Sequence, residues 1–172
     1  EFLATDARLC AEALAVLGRP VPAAAIAALT TLAPPPIAHA LFDLERRGIA
    51  VREESLAESH HRLVAPAFSR TVLDAAPPDA LRNMYRAAAG LELAAPSPRP
   101  GEVARLLFGA GGEPDAPAWG LLAAEHASAA GDPALALDLL TRALAAPGLA
   151  PADRRRAQRL QAEASERGGR LE

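Results

Sequence analysis

The sequence predicts a mainly α-helical chain, with one short β-hairpin in its first half and antiparallel helical hairpins in its last third. Three observations carry this reading. Apolar residues recur at three- and four-residue steps along most of the chain, in stretches cut by proline and glycine. In the stretch 33–51 a helical stripe stops at Gly48 and passes straight into the β-branched pair Ile49 and Val51. Near the end, Gly131-Asp132-Pro133 separates two apolar-periodic segments by a turn short enough to make them antiparallel neighbours.

Thr5 is placed as the N-cap of the first helix, with Asp6 in the turn that follows. Leu9, Cys10, Ala13, Leu14 and Leu17 make its apolar face, and Gly18 ends it. Cys10 has no basic neighbour to activate it and reads as a small buried hydrophobe. Arg19-Pro20-Val21-Pro22 reads as a turn, and 23–29 as a second short helix with Ile26 and Leu29 inward. Pro34, Pro35 and Pro36 open the third helix, where first-turn N–H groups lack partners in any case. Ile37, Ala40, Leu41 and Leu44 form its stripe, and Arg46 and Arg47 suit the negative end of the helix dipole. A polar, acidic tip over 52–59 leads to a second strand at about 60–64. Three short helices followed by such a hairpin are the parts of a winged helix-turn-helix, in their usual order.

Pro66 opens a fourth helix with Ala67, Phe68, Val72 and Leu73 on its apolar side. Pro77-Pro78 breaks it and starts a fifth, with Leu81, Met84, Tyr85, Ala88 and Leu91 at helical spacing. The pattern divides the chain into a winged-helix domain with trailing helices over 1–94, a linker with a short helix over 95–117, and a helical hairpin with the start of a further repeat over 118–172. Within the last part, Ala136, Leu140 and Ala143 fall where a tetratricopeptide (TPR) motif takes small, large and small residues, while Trp119 is one residue out of register with that motif. The hairpin is therefore TPR-like, and further repeats are expected beyond it, since one hairpin cannot bury its face alone.

Composition narrows the function classes. The chain has 172 residues, 51% hydrophobic and 23% charged, with a formal net charge of -3, so nothing draws it globally to nucleic acid or to an anionic membrane. All 18 basic residues are arginine. Without lysine there is neither a Walker A site nor a kinase catalytic lysine. Gly109-Ala110-Gly111-Gly112 is followed by Glu113 and Asp115, which repel phosphate, and reads as a loop. The four histidines and one cysteine are scattered and make no metal site. No apolar run approaches the ~20 residues of a membrane span, and a lone cysteine with no signal peptide fits the cytoplasm. The ends, Glu1-Phe2 and Leu171-Glu172, read as restriction-site remnants or as the edges of a truncated reading frame.

The segments 16–22, 38–49 (AHALFDLERRGI) and 62–89 (RLVAPAFSRTVLDAAPPDALRNMYRAAA) resemble the region after the nucleotide-binding domain in STAND ATPases, such as large ATP-binding LuxR-type regulators and bacterial kinases with an AAA-like sensor module. The resemblance implies a non-catalytic signalling segment whose partners are an upstream nucleotide-binding domain, holding ATP or ADP, and a protein or small-molecule effector on the helical arm. It also implies a nucleotide-sensing histidine at the start of the helix after the wing; Ala65 occupies that position here, with no donor to offer a phosphate. His60 and His61 are poor substitutes as a pair, because adjacent strand residues point to opposite faces.

The competing class is a DNA-binding winged-helix regulator. Charge opposes it: the third helix offers His39, Asp43 and Glu45 before its terminal arginines, and the wing carries Glu53, Glu54 and Glu58. Phosphate neutralisation supplies most non-specific DNA affinity, and this face has little to neutralise with. An interaction module is the favoured expectation. Its candidate contact residues are Trp119, His126, Arg154, Arg155 and Arg159, with no catalytic or metal residue.

Overall fold

The computed structural model describes residues 3–54 and 58–169. The chain forms two compact units, Glu1–Leu91 and Glu92–Glu172.

The first unit begins with α1 (Thr5–Leu17), a helix buried on nearly every side and ended by Gly18 in the left-handed region at φ 65°. Only glycine takes that conformation without strain. The N-cap is Ala4, with no side-chain cap, so Thr5 is the first helical residue and not the cap its chemistry predicts. β1 (Val21–Pro22) leads into α2 (Ala23–Thr30) and α3 (Pro34–Arg46). β2 (Ala50–Glu54) and β3 (Ser59–Leu63) follow, then α4 (Pro66–Ala75) and most of α5 (Pro78–Leu93). Leu14, Ile26, Ile37 and Leu44 are fully enclosed and form the centre of this unit, where α1, α2 and α3 pack together.

The sheet is antiparallel with order β1-β3-β2. The predicted turn at 19–22 is corrected here: Val21 and Pro22 pair with His61 and His60. Two prolines in four residues hide this strand from any β pattern. It is possible because β1 is an edge, where Pro22 needs no second ladder partner. The hairpin strands also run further into the acidic segment than expected, with Glu53 opposite His60 and Glu54 opposite Ser59. Cross-strand pairing explains it: Arg62 binds Glu53, and Arg52 Nε donates to Ser59 Oγ at 3.0 Å. The centre of the predicted tip, 55–57, lies outside the described residues. On α4 none of the predicted apolar residues is buried; Ala67 and Phe68 are exposed, and Val72 and Leu73 half-buried.

In the second unit the helices α6 (Pro100–Ala110), α7 (Ala116–Ala129), α8 (Pro133–Ala145) and α9 (Pro151–Gly168) pack each on the next, and α7 also meets α9. Each carries a proline in its first turn, where a missing N–H costs nothing. The core is built largely of alanine, with Leu121, Leu139, Leu140 and Leu149, so the helices approach closely. Gly131, at φ 79°, makes the α7–α8 turn. The sequence suggests a linker over 95–117 with a short helix. The structure instead gives α6 three turns, buries its Val103, Ala104, Leu106, Leu107 and Ala110, and packs it along α7. The loop it leaves before α7 is 111–115.

Candidate interaction groove

α3 is the element around which the candidate site is built. Its stripe is wider than a core-facing helix needs: Ile37 and Leu41 are buried, while Pro34, Ala38 and Phe42, one step around, face outward. Phe42 is 61% exposed, the most exposed large hydrophobe among the described residues. Ala23, Ala24 and Ala27 of α2 face this stripe across a groove of about 690 Å³, closed at one end by Arg52, Glu58, Ser59 and His61 of the hairpin. That volume is in the ~300–1,000 Å³ range of ligand-sized pockets. Alanines on the α2 side keep the groove open, since no side chain there reaches across it.

The hairpin end is polar and ordered. His61, 8% exposed, donates from Nδ1 to Glu45 Oε1 at 3.0 Å, tying β3 to the end of α3. A carboxylate only accepts, so Nδ1 carries the proton. Among the described residues Glu45 Oε2 has no partner. His60, its neighbour on the strand, points to the other face and lies 3.9 Å from Glu58. Three cations of this region are engaged, Arg47 with Asp43 at 2.9 Å, Arg52 with Glu54 at 3.2 Å, and Arg62 with Glu53, while Arg46 stands exposed at the end of α3.

The contact residues predicted from sequence do not converge on one place. Trp119 is half-buried and packs on the alanine-rich core of the second unit. Arg154 Nη1 donates to the Leu144 carbonyl at 3.0 Å, which satisfies an acceptor left open at the end of α8. His126 is exposed on α7. Arg155 and Arg159 are exposed one turn apart on α9, and their neighbour Arg156 pairs with Glu125 at 2.6 Å. Ala65 is the half-buried N-cap of α4 and lines a smaller pocket of about 250 Å³ with Leu14, Arg19, Arg62 and Ser69. Phe42 is the residue sequence reasoning missed. Its signal was the i, i+4, i+8 series Pro34, Ala38, Phe42 running beside the core stripe.

Among the described residues no three His, Cys, Asp or Glu side chains come together as metal ligands would. No single described helix is long and apolar enough to cross a membrane. No family model, curated protein or solved structure matches this chain.

Proposed function

We propose that this chain is a non-catalytic regulatory and protein-interaction segment, a winged helix-turn-helix followed by TPR-like hairpins, of the kind that follows the nucleotide-binding domain in bacterial STAND ATPases. In this reading ATP or ADP sits on an upstream domain. The first unit senses the state of that domain, and the second is the arm for a protein or small-molecule effector. The order of elements supports it: three short helices, a hairpin, then antiparallel helices joined by a Gly-Asp turn. A buried free thiol accords with a cytoplasmic setting.

The observation that carries the interaction reading is the face made by α2, α3 and the hairpin. It presents alanines and an exposed phenylalanine, and Arg47, Arg52 and Arg62 are neutralised by carboxylates. A DNA reader needs free cations on this face. The expected result of anisotropy with labelled duplex at low salt is at most weak association that disappears as salt rises. Tight binding that survives 200 mM salt overturns the reading in favour of a DNA-binding regulator.

The placement beside a nucleotide domain has its own test, Ala65→His in the full-length protein. Tighter ADP binding and a slower ATPase support a position facing the phosphates. An unchanged ADP affinity and ATPase rate remove that assignment.

A further inference from the structure

We propose that the groove between α2, α3 and the β2–β3 hairpin receives an amphipathic helix of a protein partner, apolar along the groove and carrying an arginine or lysine at the hairpin end. The proposal rests on the protein-interaction reading and names the chemistry of the partner at that site.

The form of the partner follows from what lines the groove. Its walls are helix side chains and the face of a hairpin, with Ile37 and Leu41 as floor and the Phe42 ring standing at the side. Most of its lining comes from α2 and α3, and the strands contribute side chains at one end only, so the groove offers an extended peptide little main chain to pair with. The mode that fits is a helix laying residues at i, i+3 or i+4, and i+7 into an apolar groove. The small side chains of Ala23, Ala24 and Ala27 let a helix backbone come close on the α2 side.

The charge of the partner follows from the two ends. At the Pro34 end no lining residue is charged. At the hairpin end stand Glu45 and Glu58 together with Arg52. Arg52 is drawn to Glu54 and to Ser59, so its charge is spent locally. Glu45 is held by His61 through one oxygen and keeps the other without a partner among the described residues. Among the described residues Glu58 has only His60, at 3.9 Å. Arg46, on the same helix, does not line the groove. Two under-paired carboxylates, one fixed in place by a buried imidazole, form a prepared acceptor for a guanidinium or ammonium group. A cation on the partner's helix gains Glu45 already held by His61, with Glu58 beside it in the lining.

The test is selection from a displayed library of helical peptides against the full chain at about 0.15 M salt, a condition that screens unspecific charge attraction beyond ~8 Å. The best peptide is then titrated by anisotropy against wild type, Phe42→Glu, and Glu45→Gln/Glu58→Gln. Phe42 is 61% exposed, so its replacement leaves the core untouched, and an unchanged melting temperature verifies this. The expected peptides carry Leu, Ile or Phe at helical spacing with Arg or Lys at one end. Their binding falls at least about 10-fold with Phe42→Glu, as for an aromatic anchor. It falls about 3- to 10-fold with the double Gln variant, as for a partly exposed charge pair. Selected peptides that bind Phe42→Glu equally well overturn the groove while leaving the interaction reading standing. Acidic peptides overturn the charge assignment. Self-association that Phe42→Glu abolishes overturns the helix in favour of a second copy of this chain. An empty selection overturns the proposal, and with tight duplex binding it overturns the interaction reading as well.

Discussion

The Phe108 ring lies against the bare α-carbon of Gly120: a methyl group placed on Gly120 would stand 2.8 Å from Phe108 Cζ and 3.2 Å from Ala143 Cβ. The guanidinium of Arg142 sits 4.5 Å from the centre of the same ring. One aromatic side chain therefore joins α6 to α7 and α8, and it does so because α7 has no side chain at the point of closest approach.

Gly120→Ala sets two effects against each other. A glycine in a helix interior costs ~1 kcal/mol relative to alanine, so substitution alone is favourable. Overpacking a filled site costs ~1–3 kcal/mol. The half-buried ring lies between the new methyl and Arg142, with Ala143 Cβ also at 3.2 Å, so overpacking is expected to outweigh the helix gain by about 1 kcal/mol. Urea unfolding measures it. In a Phe108→Leu background the clash is gone, and the same substitution becomes neutral or stabilising. A loss of equal size in both backgrounds would remove Phe108 from the explanation.

Asp132 is the N-cap of α8 and accepts from the Leu135 backbone N–H at 2.9 Å through Oδ1. Asp132→Ala leaves that donor without its partner and lowers stability by ~1 kcal/mol. Asp132→Asn retains an acceptor oxygen and loses only a few tenths. Equal losses for the two variants would show that charge at the helix start matters more than the hydrogen bond.

The helices were legible in the sequence because each is bounded by residues with one backbone meaning. Prolines open α3, α4, α5, α6, α8 and α9 within the first turn, and Gly18 and Gly131 close α1 and the α7 turn. Their inward faces followed from period, as Ile37, Leu41 and Leu44 show. β1 was not legible, because its existence depends on β3 lying 40 residues away and its own two residues, Val21 and Pro22, carry no strand pattern. α6 is longer than the short helix read within 95–117 for a related reason: prolines flank it and glycines follow it, and only its packing on α7 shows it to be core. Of the candidate contact residues, Arg154 satisfies a carbonyl and Trp119 supports the core, while His126, Arg155 and Arg159 stand exposed. Partner and burial are tertiary facts, and no local pattern encodes them.

Glu92 is 6% exposed and takes both ends of the Arg99 fork, Nε to Oε1 at 2.8 Å and Nη2 to Oε2 at 2.9 Å, with the Arg99 backbone N–H also on Oε1. This staple closes the short connection before α6. Hydrogen bonding to Glu92 comes first among the causes that hold the guanidinium pKa above its ordinary value. Arg99→Ala takes a bidentate fork from a buried carboxylate, and Arg99 itself is half-exposed, so the loss is about 1–3 kcal/mol, below the range for a fully buried pair. Arg99→Lys recovers less than half, because a point charge cannot replace a bidentate fork. Glu92→Leu in the Arg99→Ala background restores part of the stability. Thermal melts of these four chains and of the Glu92→Leu single variant test the set, and additive losses in the double variant would contradict the staple.

Cys10 has no exposed surface, and burial first, then the nearby Asp6 carboxylate, pushes its thiol from 9.0 up to about 11. Two consequences follow. At pH 8 the folded chain reacts with a disulfide reagent only through opening, so modification is slow in buffer and fast in guanidinium. The second concerns stability. In the unfolded chain the thiol ionises near its ordinary value, while in the folded chain it keeps its proton to about pH 11. Between those values the unfolded state binds fewer protons, so stability falls as pH rises; below about pH 8 both states largely hold the proton and the effect fades. Near pH 10.5 the loss is about 2 kcal/mol relative to pH 8. The chain has no lysine, whose titration would crowd this window. Cys10→Ala removes the effect while keeping a small apolar side chain, so the difference between wild type and Cys10→Ala in urea midpoint isolates the thiol. A difference that does not change between pH 8 and 10.5 would mean that Cys10 ionises in place, and would overturn the raised thiol pKa.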